Sequence, residues 1–199
     1  TEPAQVGEKR IVVKAPAQLP YLLMVWHAPT LKDWEKDTTP YVLQILAGVM
    51  SGNDSARLQK SLVKTRQIAV NASAGYDAVA RGPGLFMIDA TPAQGQSMAA
   101  LEQATRAEIA RIQRDGISEA ELARVKAQVI AADVYQRDSL FYQAMQLGEY
   151  VTTGLPPEAL ARRVDKLRAV TAKEVQAAAQ QWLQNDRLSV AELEPQALK

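Results

Sequence analysis

A chain of 199 residues is long enough to bury a real core without disulfides or metals, as one large domain or two small ones. Its 23 basic and 22 acidic residues leave a net charge of +1, so no basic excess exists to neutralise phosphates, which argues against nucleic-acid binding. One histidine and no cysteine exclude a cysteine nucleophile and a self-contained catalytic zinc site, which takes about three protein ligands.

Residues 1–9 are polar, carry a proline and a glycine, and read as a linker. Ile11, Val12 and Val13 are β-branched and predict a short strand over 10–14. The run Tyr21 to His27, closed by Pro29, predicts a central strand buried on both faces. It is the longest apolar run and far short of the roughly 20 residues that span a bilayer. Pro40 suits a first helical turn, and the helix it opens ends at Ser51-Gly52. Leu58, Leu62 and Val63 give helical spacing again. Ile68 to Tyr76 alternates with period 2, a glycine turn follows at Gly82-Pro83-Gly84, and Leu85 to Ala90 completes an antiparallel hairpin.

From Met98 onward the spacing is helical. Met98, Leu101, Thr105, Ile109 and Ile112 mark one amphipathic helix, stopped at Asp115-Gly116. Ser118 to Glu121 is a capping box for the next helix. Helices follow from Leu140 to Val151, from Pro156-Pro157, and from a second box at Thr171 to Glu174. Leu188 to Leu193 reads as a returning strand. The order β-β-α-α-β-β-α-α-α-α-α-β predicts an α+β domain: a mostly antiparallel β-sheet with helices packed on one face. The expected division is a linker over 1–9, one domain over 10–195 and a tail over 196–199.

Motifs alone supply no active site. His27 reads as a structural residue at a strand end, in or beside the core, because it lacks spaced partners. No nucleophile elbow and no phosphate loop are present; Gly48 to Gly52 follows a helix, not a strand. Glu119 and Glu121 belong to a helix start, and Glu192 and Glu194 read as a solvated edge strand. Lys64 with Arg66, and Arg162 with Arg163, read as exposed helix faces. Tyr135, Phe141, Tyr142 and Tyr150, with Met145 and Leu147, read as a helix-packing core.

Several segments, in order, nevertheless resemble the second domain of the insulinase/pitrilysin-type zinc peptidases, the inverzincins. They are Gln5 to Val13, Trp26-His27-Ala28-Pro29, and Ser51 to Leu58 with its Ser-x-Arg-Leu ending. They continue with Gln67-Ile68-Ala69, Gly116 to Lys126, Gly148 to Gly154, and Thr171 to Val175. The resemblance covers nearly the whole chain. It implies a non-catalytic, inactive domain of a bacterial zinc metalloendopeptidase, with neither catalytic nor metal residues of its own. Zinc belongs to a partner domain carrying His-x-x-Glu-His, in the same chain or on a paired subunit, where the histidines bind the metal and the glutamate activates its water. The two domains enclose a chamber for a peptide substrate. The alternative is an inert scaffold or partner subunit of the same superfamily. A periplasmic or exported location is the expected compartment.

One departure concerns the substrate. Members of that family carry an arginine and a tyrosine that contact the bound peptide near the scissile bond. The matching positions here are Val63 and Val70, which donate no side-chain hydrogen bond. Val63, Arg66, Val70 and Asn71 are therefore the substrate-facing candidates, with Arg66 or Asn71 as substitutes for the missing donors. Peptide binding through a backbone sheet edge is the other route, since strand addition needs only main-chain groups.

Overall fold

Twelve principal elements follow one another in the expected order. The strands are β1 (Lys9–Pro16), β2 (Tyr21–Ala28), β3 (Ala69–Tyr76), β4 (Gly84–Pro92) and β5 (Leu188–Gln196). The helices are α1 (Thr39–Ser51), α2 (Met98–Asp115), α3 (Glu119–Gln136), α4 (Leu140–Thr153), α5 (Pro157–Ala169) and α6 (Ala172–Trp182). Between α1 and β3 lies a π-helical segment, Gln59–Thr65, where periodicity alone suggests an ordinary helix. The structure is a computed structural model and describes residues 5–136 and 138–197; part of the expected linker and tail lies outside these.

The five strands form one sheet in the order β1-β5-β2-β4-β3. β1 pairs with β5 in parallel, and the other three pairings are antiparallel. The α+β architecture and the mostly antiparallel sheet are thus as expected. β5 is an interior strand, however, because β1 takes the edge beside it. Glu192 and Glu194 are therefore not on an edge: Glu192 pairs with Arg10, and Glu194 with Lys14 at 3.2 Å.

The core lies on one side of the sheet. Leu22, Met24 and Trp26 of β2, Phe86 and Ile88 of β4, and Leu188 and Val190 of β5 point into it and are buried. α1 fills its centre, with Tyr41, Leu43, Ile45, Leu46 and Met50 all buried. Gly48 lets α3 approach closely, since a Cβ there would stand 2.8 Å from Val125 Cγ1. Trp26 Nε1 donates to Gln184 O at 3.0 Å, which satisfies its polar end inside the core. Caps fix the helix starts: Ser97 accepts from Ala100 N, and Thr171 with Glu174 makes a complete capping box.

β2 departs from expectation. Its burial alternates, so it is covered on one face and not two. Among the described residues the helices pack on the core side, and no helix covers Tyr21, Leu23, Val25 and His27 on the other face. His27 is exposed on that face, outside the core.

Glu102 ties the edge strand to the helix layer. Its carboxylate receives Arg10 at 2.8 Å and Arg106 at 2.7 Å, and Glu8 bridges the same two arginines. Burial pushes the Glu102 carboxyl up, but the two guanidinium groups outweigh it and hold it below the ordinary glutamate value. A lowered folded value stabilises above the unfolded value, and that stability is lost as pH falls through the folded one. Glu102→Gln is expected to cost about 2 kcal/mol near neutral pH. The deficit should close in acid, seen as a flatter acid limb in urea unfolding against pH.

Candidate functional site

Two surfaces of this fold have the composition of functional ones. The first is the uncovered sheet face. Register places Ile11 and Val13 of β1, Ala191 and Leu193 of β5, Tyr21, Leu23 and Val25 of β2, and Leu85 and Met87 of β4 on it. All five strands contribute, since Asn71, Ser73 and Gly75 of β3 share the face. Ile11 on the edge strand is 59% exposed and Met87 in the sheet interior 40%, although an apolar sheet face is ordinarily covered. The polar part of the face is a small cluster. Ser73 donates to Asp89, and burial together with the Asp89 charge holds the Tyr21 hydroxyl above the ordinary tyrosine value.

The second surface is a cleft of about 990 Å³ where the π-helical segment meets α2 and α3. Six basic side chains line it: Arg57, Lys60, Lys64, Arg66, Arg111 and Arg124. Three acidic ones, Asp54, Glu108 and Glu121, stand among them. Arg57 grips Glu121 with both arms, Nε to Oε1 at 2.9 Å and Nη2 to Oε2 at 2.8 Å, and also donates to Gly116 O at 3.0 Å. Those hydrogen bonds, the largest influence, raise the Arg57 pKa and hold its charge in place. Buried Glu108 accepts from Ser61 Oγ at 2.6 Å and pairs with Arg111 at 3.2 Å. Lys64 pairs with Asp54 at 3.2 Å.

The four substrate-facing candidates stand in different surroundings. Arg66 caps the π-helical segment and lines the basic cleft. Val63 is half-buried against the core. Val70 sits at a bulge in β3 and is 57% exposed. Asn71 lies on the open sheet face, where its Oδ1 is 3.4 Å from Gln59 Nε2. Gln59 Nε2 also donates to Ala72 O at 2.8 Å and so occupies one carbonyl of the edge strand β3. Gln67, between Arg66 and β3, adopts φ 52°, a left-handed conformation that turns the chain from cleft to strand.

Sequence reasoning missed most of the cleft. Glu121 reads as a capping-box carboxylate; Ser118 does accept from Glu121 N at 3.2 Å, but the Glu121 side chain goes to Arg57. Arg57 is legible only as part of the Ser-x-Arg-Leu resemblance, and Glu108, Arg111 and Arg124 carry no local signal. Arg163 is not an exposed basic residue either, because it pairs with Asp133 at 2.8 Å inside the helix layer. The aromatic helix-packing core is a correction as well. Only Tyr150 is buried, whereas Tyr135 and Phe141 are 75% and 77% exposed. They stand at the junction of α3 and α4.

Among the described residues, no three histidine, cysteine or carboxylate side chains come together in a metal-ligating group, and no helix is long and apolar enough to cross a membrane. His27 lies outside any such group, so the described residues do not fit a zinc ion.

A family model described as the peptidase M16 inactive domain matches residues 1–129. The fold is similar to a protease from Helicobacter pylori, at 18% identity and TM-score 0.88, over 97% of this chain and 46% of that one. It is also similar to a peptidase M16 inactive domain from Pseudomonas fluorescens, at 18% identity and TM-score 0.82, over 100% of this chain and 47% of that one. A third relative is the inactive peptidase domain of a candidate zinc protease from Bordetella parapertussis, at 19% identity and TM-score 0.80, over 93% of this chain and 97% of that one. The chain spans about half the length of the first two. Among curated proteins none matches it.

Proposed function

We propose, from the premise that this chain belongs to the peptidase M16 inactive-domain family, that it is the non-catalytic half of a zinc metalloendopeptidase. It helps enclose and bind the peptide. A His-x-x-Glu-His domain, in the same chain or on a paired subunit, supplies the zinc and the general base. No step of the hydrolysis runs through this chain's own residues; its contribution is to position the peptide and exclude water.

The observation that carries this reading is the uncovered apolar sheet face. Half-covered sheets ordinarily present polar residues to solvent. Here Ile11, Val13, Tyr21, Leu85 and Met87 stand exposed on one continuous surface. Such a face suits contact with a second domain, and membership of the family supports a catalytic domain as that occupant. The edge strand β3 adds a main-chain route for peptide, which dispenses with the side-chain donors absent at Val63 and Val70.

The test is reconstitution. The His-x-x-Glu-His domain of this protein or of its neighbouring gene is purified with and without this chain, and cleavage of a quenched fluorescent peptide is followed. Activity is expected only from the pair. Equal activity from the catalytic domain alone would sink the reading. An inert pair would favour the second reading, a scaffold subunit, for which the valines at positions 63 and 70 are the motivating observation.

A further inference from the structure

We propose that the basic cleft between the π-helical segment, α2 and α3 binds an acidic peptide segment, with its free cations taking side-chain carboxylates. That the ligand is a peptide rests on the function proposed above; that it is anionic rests on the cleft itself.

Charge distribution is the first argument. The cleft holds six basic and three acidic residues, a net of +3, in a chain whose total is +1. The remainder of the chain therefore sums to −2. The basic excess is gathered in one concavity, where low-dielectric walls focus the field on an incoming anion.

Pairing is the second. All three acidic residues are already engaged: Glu121 by Arg57, Glu108 by Ser61 and Arg111, Asp54 by Lys64. That leaves Lys60, Arg66 and Arg124, whose side chains have no hydrogen-bond or ion-pair partner among the described residues. Each stands on a different part of the wall: Lys60 within the π-helical segment, Arg66 at its cap, Arg124 on α3. Charges distributed in this way suit several carboxylates along an extended chain better than one compact anion. The protein's own Glu121, held bidentately by Arg57, shows how a carboxylate seats there.

Size and continuity complete the case. About 990 Å³ is at the upper end for ligand sites and far more than a lone phosphate fills. Arg66 also leads directly through the left-handed Gln67 into the edge strand β3. A peptide paired along that edge is delivered to the cleft mouth at its end.

The experiment is fluorescence anisotropy of this chain with a labelled peptide carrying a run of glutamates. The same peptide with glutamines is the comparison. Binding is expected to weaken by about tenfold or more with glutamines, and likewise in the variants K60Q/R66Q/R124Q and K60E/R66E/R124E. It should also fall as salt rises. All three side chains are exposed, so the melting curve of the neutral variant should match the parent and separate loss of binding from loss of fold. Equal binding of the glutamine peptide, or undiminished binding by both variants, would overturn the proposal. So would tripolyphosphate binding more tightly than the glutamate peptide in titration calorimetry, which would make the cleft a phosphate site. Reconstituted hydrolysis with no acidic-peptide binding removes the cleft proposal and leaves the peptidase reading. Acidic-peptide binding by a chain that never supports hydrolysis does the reverse.

Discussion

Arg163→Met is expected to lower the unfolding free energy by about 3 kcal/mol. In a chain of this length that is a fall of about 6–12 °C in melting temperature. The reason is the position of its partner. Asp133 on α3 is 4% exposed and accepts from Arg163 Nε at 2.8 Å. Arg163 on α5 has only 16% of its side chain exposed. The pair clamps two helices that lie 30 positions apart in sequence. Tyr150 of α4 and Tyr41 of α1 border the same guanidinium. Burial first, then the Tyr150 charge, push the Tyr41 hydroxyl up to about 12, and the Arg163 charge opposes that rise. Methionine keeps the length and packing of the side chain and removes the charge, so a buried carboxylate loses a counter-ion held at 2.8 Å. Adding Asp133→Asn to the variant is expected to cost less than the two changes separately, with a coupling of about 1–3 kcal/mol in a double-mutant cycle. A loss under about 1 kcal/mol for Arg163→Met would show that the pair is screened by solvent rather than buried.

The same residue shows where sequence reasoning stops. Arg162-Arg163 beside a helix start has the pattern of a solvated basic face, and for Arg162, which is exposed, that reading holds. Nothing local distinguishes Arg163, because its partner is a long-range contact. Glu121 is a parallel case: the capping signal is genuine at its backbone and silent about Arg57. Local rules did determine much. Pro40, Gly116, Gly154 and the Thr171 box mark helix limits by φ preference and by orphaned amides, and these are properties of a few consecutive residues. Strand alternation likewise gave the β3–β4 hairpin.

β2 failed for a different reason. A run of apolar residues states that both faces are apolar, not that both are covered by the same chain. Tyr21, Leu23 and Val25 have the composition of a buried face and lie on an open one. The site was legible only in part on similar grounds. Arg66 stands in the cleft, but Val63 is turned toward the core, and the cations opposite Arg66 come from α2 and α3, far along the chain. The exposed aromatics at the α3–α4 junction carry the signature of a core without the neighbours to make one.

That open face supports the second large prediction. Leu85→Glu with Met87→Glu is expected to leave the unfolding free energy within about 1 kcal/mol of the parent, because both side chains are 40% exposed and project away from the core. Hydrolysis by the reconstituted pair should nevertheless fall by about 100-fold, since two charges would have to be desolvated against an apolar partner surface. Arg162→Glu, on the helix side of the sheet, should change neither quantity. The cleft variant K60Q/R66Q/R124Q should spare hydrolysis of a neutral peptide, whereas the open-face variant should show the same large loss with either peptide. One set of reactions therefore separates assembly of the chamber from selection of what enters it. Full hydrolysis by the Leu85/Met87 variant would mean that the catalytic domain meets this chain elsewhere, and the apolar face would need another occupant.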